Sequence, residues 1–215
     1  MTLQTTRYIF VDVDTQRDFL DPDGALYVPD SSAIRPNLAY LTQYAAARSI
    51  PVLATACAHV PDDPELEKFP PHCMIGTRGQ TRIAETARLD SQILGPDDVF
   101  DAQPMPPHLT IEKRAYDVFT HPSMNSIVES ASRDSAPTFV VYGVATDYCV
   151  QCAASGLLAR GCRVLLVVDA LRAIDSDKEG GVLTDLVARG ATLALTAAVC
   201  DDSDSRQRPG SHDAG

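Results

Sequence analysis

"TFVVYGVATDYCVQCAASGLLARG", residues 138–161, decides the fold. Its first seven residues form a mostly apolar, β-rich run, the composition of a strand buried on both faces. From Asp147 the chain turns helical, and Gly161 supplies the stop. A strand running directly into a helix is half of a βαβ unit, and the same alternation recurs along the chain. Strands are expected at Tyr8–Val13, Pro51–Ala56, Leu109–Lys113, Thr138–Val144, Arg163–Val168 and Thr192–Thr196. A first helix should follow "PDSS", capped by Ser31 or Ser32, with Ile34, Leu38, Leu41 and Ala45 on one face. A second follows His121-Pro122 with Met124, Ile127 and Val128 facing inward, a third runs from Asp147 to Arg160, and a fourth covers Lys178–Arg189. The pattern is that of an α/β protein, a three-layer αβα sandwich around a mainly parallel sheet of about six strands. Residues 1–200 read as one domain and 201–215, "DDSDSRQRPGSHDAG", as a flexible polar tail. The span 61–107 is rich in Pro, Asp and Gly and weakly periodic; loops of that length often carry function.

At 215 residues the chain buries a core large enough to need no disulfides. A net charge of −11 argues against a nucleic-acid backbone or an anionic membrane as partner. No apolar run reaches membrane-spanning length. The first, from Tyr8, is short and contains Asp12 and Asp14, unlike a secretory signal. The six cysteines show no disulfide-framework spacing, so reduced thiols in a cytoplasmic setting are expected.

In an open α/β sheet, ligands collect at the carboxyl ends of the strands. Cys149 falls there, at a helix entrance whose dipole and free N–H groups favour a thiolate and lower a pKa that starts near ~8.5. A nucleophilic cysteine needs charged partners from other strand ends, and two lie at such positions: Asp14 after the first strand and Lys113 at the end of the third. Cys152 is one helical turn further on and is expected to pack against the sheet. A redox Cys-x-x-Cys pair shares the helix-start position. Against it, no Pro or Gly separates the two cysteines, and the strands outnumber those of a thioredoxin-like unit. A zinc site lacks a second cysteine or histidine pair nearby. Inert buried thiols are the plainest alternative. Asp14 as a turn cap and Lys113 as a solvated charge are the corresponding structural readings.

"FVDVDTQRDFLDPDGALYVP" (10–29), "IEKRAYDVF" (111–119) and "VYGVATDYCVQCAASGLLARGCRVLLVVDA" (141–170) resemble the isochorismatase-like cysteine hydrolases, over about residues 7–200. That family includes nicotinamidases, ureido- and carbamoyl-amidohydrolases and isochorismatase. The resemblance implies an acid/base carboxylate at Asp14, a catalytic lysine at Lys113 and a nucleophile at Cys149. It also implies a non-proline cis peptide between Val144 and Ala145, with the Ala145 and Cys149 amides facing a developing oxyanion. Asp12 is a second buried carboxylate of unassigned purpose, and Asp18 is a candidate for holding the local loop.

"ATACAHVPDDPELEKFPPHCMIGTRGQ" (54–80) is similar to the nicotinamidase segment in which an Asp-x-His pair and a later His hold a divalent metal. Here the ligands would be Cys57, His59 and His72, with Cys57 standing where the family has Asp. Residues i and i+2 of an extended chain point the same way, and one thiolate with two imidazoles suits Zn²⁺. The bland alternative is a vestigial site in which Cys57 packs in the core. The same branch places a substrate pocket at Phe19, Phe69 and Tyr148. Cys73 should point away, and His108, His121 and His212 read as loop residues.

The expected activity is hydrolysis of a small amide, with nicotinamide to nicotinate and ammonia foremost and no organic cofactor. The chain is expected to form a homo-oligomer. A ureide, carbamoyl amide or vinyl ether would fit the same three residues. A non-catalytic metal- or thiol-binding module is the alternative outside enzymes.

Overall fold

Seven parallel strands form one sheet in the order β3-β4-β2-β1-β5-β6-β7. They are β1 (Tyr8–Val13), β2 (Val52–Cys57), β3 (Gln92–Leu94), β4 (His108–Lys113), β5 (Thr138–Val144), β6 (Arg163–Arg172) and β7 (Thr192–Ala194). The helices are α1 (Arg17–Leu20), α2 (Arg35–Arg48), α3 (Met124–Ser132), α4 (Gln151–Ala159), α5 (Ser176–Ala188) and α6 (Thr196–Val199). This computed structural model describes residues 7–100, 105–133 and 136–201. The tail expected over 201–215 lies outside them from residue 202 onward, as does His212. No helix among the described residues is long and apolar enough to cross a membrane.

Side chains alternate across the sheet, so the central strands β1, β2, β5 and β6 feed two cores. Ile9, Val11 and Val13 of β1 and Phe139 and Val141 of β5 pack beneath Met124, Ile127, Leu157 and Leu186 of α3, α4 and α5. Phe10, Val140 and Tyr142 face the opposite way, against Leu38, Leu41 and Ala45 of α2 and Val199 of α6. Two helical layers around the sheet complete the expected sandwich. Burial on both faces is also why the central strands read as near-continuous apolar runs.

The differences from expectation are local. β3 adds a strand inside the stretch read as loop; its Gln92 and Ile93 are exposed, and three residues on a sheet edge leave little pattern. His108 opens β4 and is buried rather than in a loop. His121 is buried too, paired through Nε2 with the Gly95 carbonyl at 2.9 Å and through Nδ1 with the Ser123 amide at 3.1 Å. Neither expected serine caps the first helix: a 3₁₀ turn over Ser31–Ile34 leads into α2, and the Ser31 hydroxyl donates to the Phe19 carbonyl. The third helix starts as a π turn over Thr146–Val150 before α4. Asp147 there accepts the amides of Ile174 and Asp175, both at 3.0 Å.

The sheet order reverses between β1 and β5, the switch point where open α/β sheets leave a crevice. At that crevice Gly143 pairs with Val13 at φ +115°, and a Cβ there would stand 2.1 Å from the Val13 carbonyl oxygen. Only glycine meets both demands.

The long loop is fastened to β1 and the turn after it. Asp12, buried, accepts a charged hydrogen bond from Arg82 and another from the Thr15 hydroxyl at 2.9 Å. Its purpose is thereby assigned: it anchors the loop's return. Asp18 accepts the amides of Cys73 (2.6 Å) and Ala25 (3.1 Å), holding a second point. Gln16 is the third fastener. Its Oε1 accepts the Cys57 amide at 2.7 Å, while its Nε2 donates to the carbonyls of Cys57 (2.8 Å) and Gln80 (2.7 Å).

Two substitutions measure these constraints. Gly143→Ala should lower stability by at least about 2 kcal/mol in urea titrations, from left-handed backbone plus the clash with β1. Gln16→Leu would remove a partner from two buried backbone groups of Cys57 and the half-buried carbonyl of Gln80, and should cost about 2–5 kcal/mol in the same measurement.

Candidate active site

Parallel register gathers the chemistry-bearing residues. Cys57 at the end of β2 pairs with Lys113 at the end of β4, so their side chains leave the sheet on the same side. Asp14 follows β1 with φ 48°, a left-handed conformation that aspartate tolerates better than most residues. Cys149 lies in the π turn after β5, beyond the cis peptide between Val144 and Ala145. All four side chains are buried.

At the centre stands the Lys113 ammonium. Its Nζ is 2.9 Å from Asp14 Oδ2, 3.2 Å from Cys57 Sγ and 3.6 Å from Cys149 Sγ. The Thr55 hydroxyl donates to the other Asp14 oxygen at 2.6 Å, fixing the carboxylate plane. Burial pushes the Lys113 pKa down, but the charges on Asp14 and the two sulfurs outweigh it and raise it well above the ordinary lysine value. Asp14 is itself raised, first by burial and then by negative charge on Cys57, against the pull of Lys113. A raised carboxylate beside a thiol is a competent proton acceptor.

The sulfurs depart from the reading of Cys149 as a lone activated thiol. Oxygen or sulfur atoms of Asp14, Cys57 and Cys149 all lie within 4.8 Å of one another, so the two thiols form a pair. The neighbouring Cys149 sulfur drives the Cys57 pKa well below the ordinary thiol value, with Lys113 helping against burial. The same contact, reinforced by burial, raises Cys149. Cys152 is half-buried and outside both apolar clusters, so it does not pack against the sheet as expected. It shares no contact that would make a redox pair with Cys149. Cys73 is buried, with its Sγ 3.9 Å from the Gly79 carbonyl.

Beside this centre a second cluster converges. Ligand atoms of Cys57, His59, Glu65 and His72 lie within 4.8 Å of one another. The His59 Nδ1–H donates to Asp63 at 3.0 Å and the His72 Nδ1–H to the Pro70 carbonyl at 2.8 Å, which leaves both Nε2 atoms directed inward. Those Nε2 atoms and Glu65 Oε2 are buried without a hydrogen-bond partner. The Nε2 atoms stand 3.8 and 3.7 Å from Glu65 Oε1, beyond hydrogen-bond reach. Burial would lower the His72 pKa, yet the neighbouring Cys57 sulfur and Glu65 carboxylate lift it to about 10. Two imidazole nitrogens and a carboxylate oxygen without partners, facing one point beside the Cys57 sulfur, fit a divalent cation, zinc by donor type. Glu65 and the orienting Asp63 escaped sequence reading, although "HVPDDPELE" (59–67) offered carboxylates four and six positions after His59.

Two of the three aromatics expected at a pocket, Phe19 and Phe69, pack against His72, and the third, Tyr148, packs against Phe69. Phe19 is buried, its ring centroid 5.3 Å from that of His72. Phe69 meets Tyr148 edge-on at 5.1 Å and His72 at 6.2 Å. Lys68 lies 4.7 Å over the Tyr148 ring. A cleft of about 270 Å³ opens beside Lys113, lined by Pro64, Asp97, Arg114, Thr120 and His121.

Several solved structures share this architecture. N-carbamoylsarcosine amidase from Thermoplasma acidophilum is 25% identical, with a TM-score of 0.70 over 88% of this chain and 96% of the other. The pyrazinamidase of Pyrococcus horikoshii, solved in complex with zinc, is 24% identical, with a TM-score of 0.71 over 88% and 99%. The pyrazinamidase/nicotinamidase of Streptococcus mutans is 24% identical, with a TM-score of 0.72 over 87% and 99%. No curated protein sequence matched. The isochorismatase domain family matches residues 8–198, nearly the whole described chain, and this protein belongs to the isochorismatase family of hydrolases.

Proposed function

We propose that this chain is a cysteine-dependent amidohydrolase with nicotinamide as its leading substrate. The observation that carries the reading is a single buried array. Lys113 binds Asp14 and both sulfurs, and the sulfur of Cys57 also belongs to the histidine cluster.

Asp14 takes the Cys149 proton, and the thiolate attacks the carboxamide carbon, forming a C–S bond. The Ala145 and Cys149 amides hold the oxyanion, and Lys113 offsets the negative charge gathered on Asp14 and sulfur. As the C–N bond breaks, Asp14 returns the proton to the leaving nitrogen, and ammonia departs. Asp14 then activates water against the thioester, and nicotinate leaves with Cys149 restored.

A metal would be held by Cys57, His59, Glu65 and His72. When bound it would supply a Lewis-acidic point for a ring nitrogen. Phe19 packs against His72, while Phe69 and Tyr148 offer faces for a flat ring. The zinc in the pyrazinamidase structure supports this reading of the cluster. The likeness to N-carbamoylsarcosine amidase favours a carbamoyl amide as the second reading. A panel of nicotinamide, N-carbamoyl amino acids and ureides, each with and without Zn²⁺, decides between them. Turnover of the carbamoyl compounds alone overturns the leading substrate.

Asp14→Asn, Lys113→Ala and Cys149→Ala should each remove nearly all turnover, and double variants should lose little more, because residues acting as a unit are non-additive. Asp14→Asn retaining a tenth or more of the wild-type rate, about 1.4 kcal/mol of barrier, would show that Asp14 is not the base.

Chelation should weaken binding of pyridine carboxamides far more than of benzamide, which has the amide but no ring nitrogen. His72→Ala should reproduce that selective loss. Cys57→Asp should keep metal binding and shift preference toward harder ions such as Mn²⁺. Metal analysis that finds no uptake by the purified protein, with no zinc effect on turnover, would remove the ring-nitrogen role.

A further inference from the structure

Cys57 does something no single-nucleophile mechanism requires: it brings a second thiol to the first. Both sulfurs hydrogen-bond to one ammonium, at 3.2 and 3.6 Å, and lie within 4.8 Å of each other. A disulfide needs an S–S distance of about 2.05 Å, so the two sulfurs must close the remaining gap by movement of one or both residues. Cys149 retains 6% exposure, whereas Cys57 has none, so a small oxidant arriving by the substrate's route meets Cys149 first.

We propose that Cys57 is a resolving cysteine, forming a reversible disulfide with Cys149 on exposure to a peroxide. The Cys149 thiolate attacks hydrogen peroxide: an S–O bond forms, the O–O bond breaks, and the displaced hydroxide takes a proton to become water. The Cys57 thiolate then attacks the resulting sulfenic sulfur. The S–S bond forms, the S–O bond breaks, and a second hydroxide leaves as water. Two electrons pass from the thiols to the peroxide, and two thiols plus one peroxide give one disulfide and two waters. The bond protects Cys149 from the further, irreversible steps of sulfur oxidation, because the sulfenic acid is trapped before another peroxide arrives. An external dithiol reverses it by exchange at Cys149, the less buried of the two. Lys113 serves this chemistry as well, holding both sulfurs in thiolate-competent positions. Loss of turnover during oxidation rests on the hydrolase reading above; the covalent step rests only on the two sulfurs.

The experiment treats the full-length protein with stoichiometric hydrogen peroxide, quenches with iodoacetamide and maps peptides without reduction. The expected first product is a peptide pair linked through Cys57 and Cys149, with two of the six thiols lost and both recovered by dithiothreitol. In Cys57→Ser no such link forms, and Cys149 advances to sulfinic acid, beyond dithiothreitol rescue. If that variant fails to fold, the wild-type map decides alone. Cys149 accumulating as sulfinic acid beside a free Cys57, or a dominant link through Cys73 or Cys152, overturns the proposal. A Cys57–Cys149 link in protein that hydrolyses no amide leaves this inference standing and removes the proposed substrate instead.

Discussion

The Lys113 ammonium, 2% exposed, sits where the carboxyl ends of four strands meet, and its solvation comes from the protein alone. A buried cation without partners loses its proton or unfolds the chain, so its counter-charges are structural necessities before they are chemical ones. Asp14 supplies one at 2.9 Å, and the sulfurs of Cys57 and Cys149 supply the rest. Each comes from a different strand end. The array therefore exists only when β1, β2, β4 and β5 are in register, and the sheet order β4-β2-β1-β5 places those four side by side. Fold and chemistry share this one constraint.

Much of this was legible in the sequence because two-sided burial writes itself as apolar runs. β1, β2, β4, β5 and β6 all announce themselves that way, and their ends put Asp14, Lys113 and Cys149 at one edge. What failed to show has equally physical reasons. β3 is three residues on an exposed edge, with too little burial to leave a pattern. Glu65 and Asp63 join the histidines through the fold of a loop whose path no periodicity encodes. Gln16 appears as one more polar residue until its three backbone partners are seen. The pairing of Cys57 with Cys149 follows from inter-strand register, while the sequence alone offered Cys152 as the nearer cysteine.

The replacement of aspartate by cysteine at position 57 changes more than a ligand. The sulfur there is shared between the histidines and Lys113. A cation held by the histidine cluster would draw on the same sulfur that Lys113 binds.

The wall of the cleft is attached to the sheet through a small set of side chains grouped at the start of the chain: Asp12 to Arg82, Gln16 to Gln80, and Asp18 to Cys73. The segment carrying Pro64, Lys68 and Phe69 lies ahead of the loop's three attachment points, Cys73, Gln80 and Arg82, in the chain and makes none of them. Substitution of Lys68 or Phe69 would therefore reshape the surroundings of Tyr148 and His72 while all three fastenings stay in place.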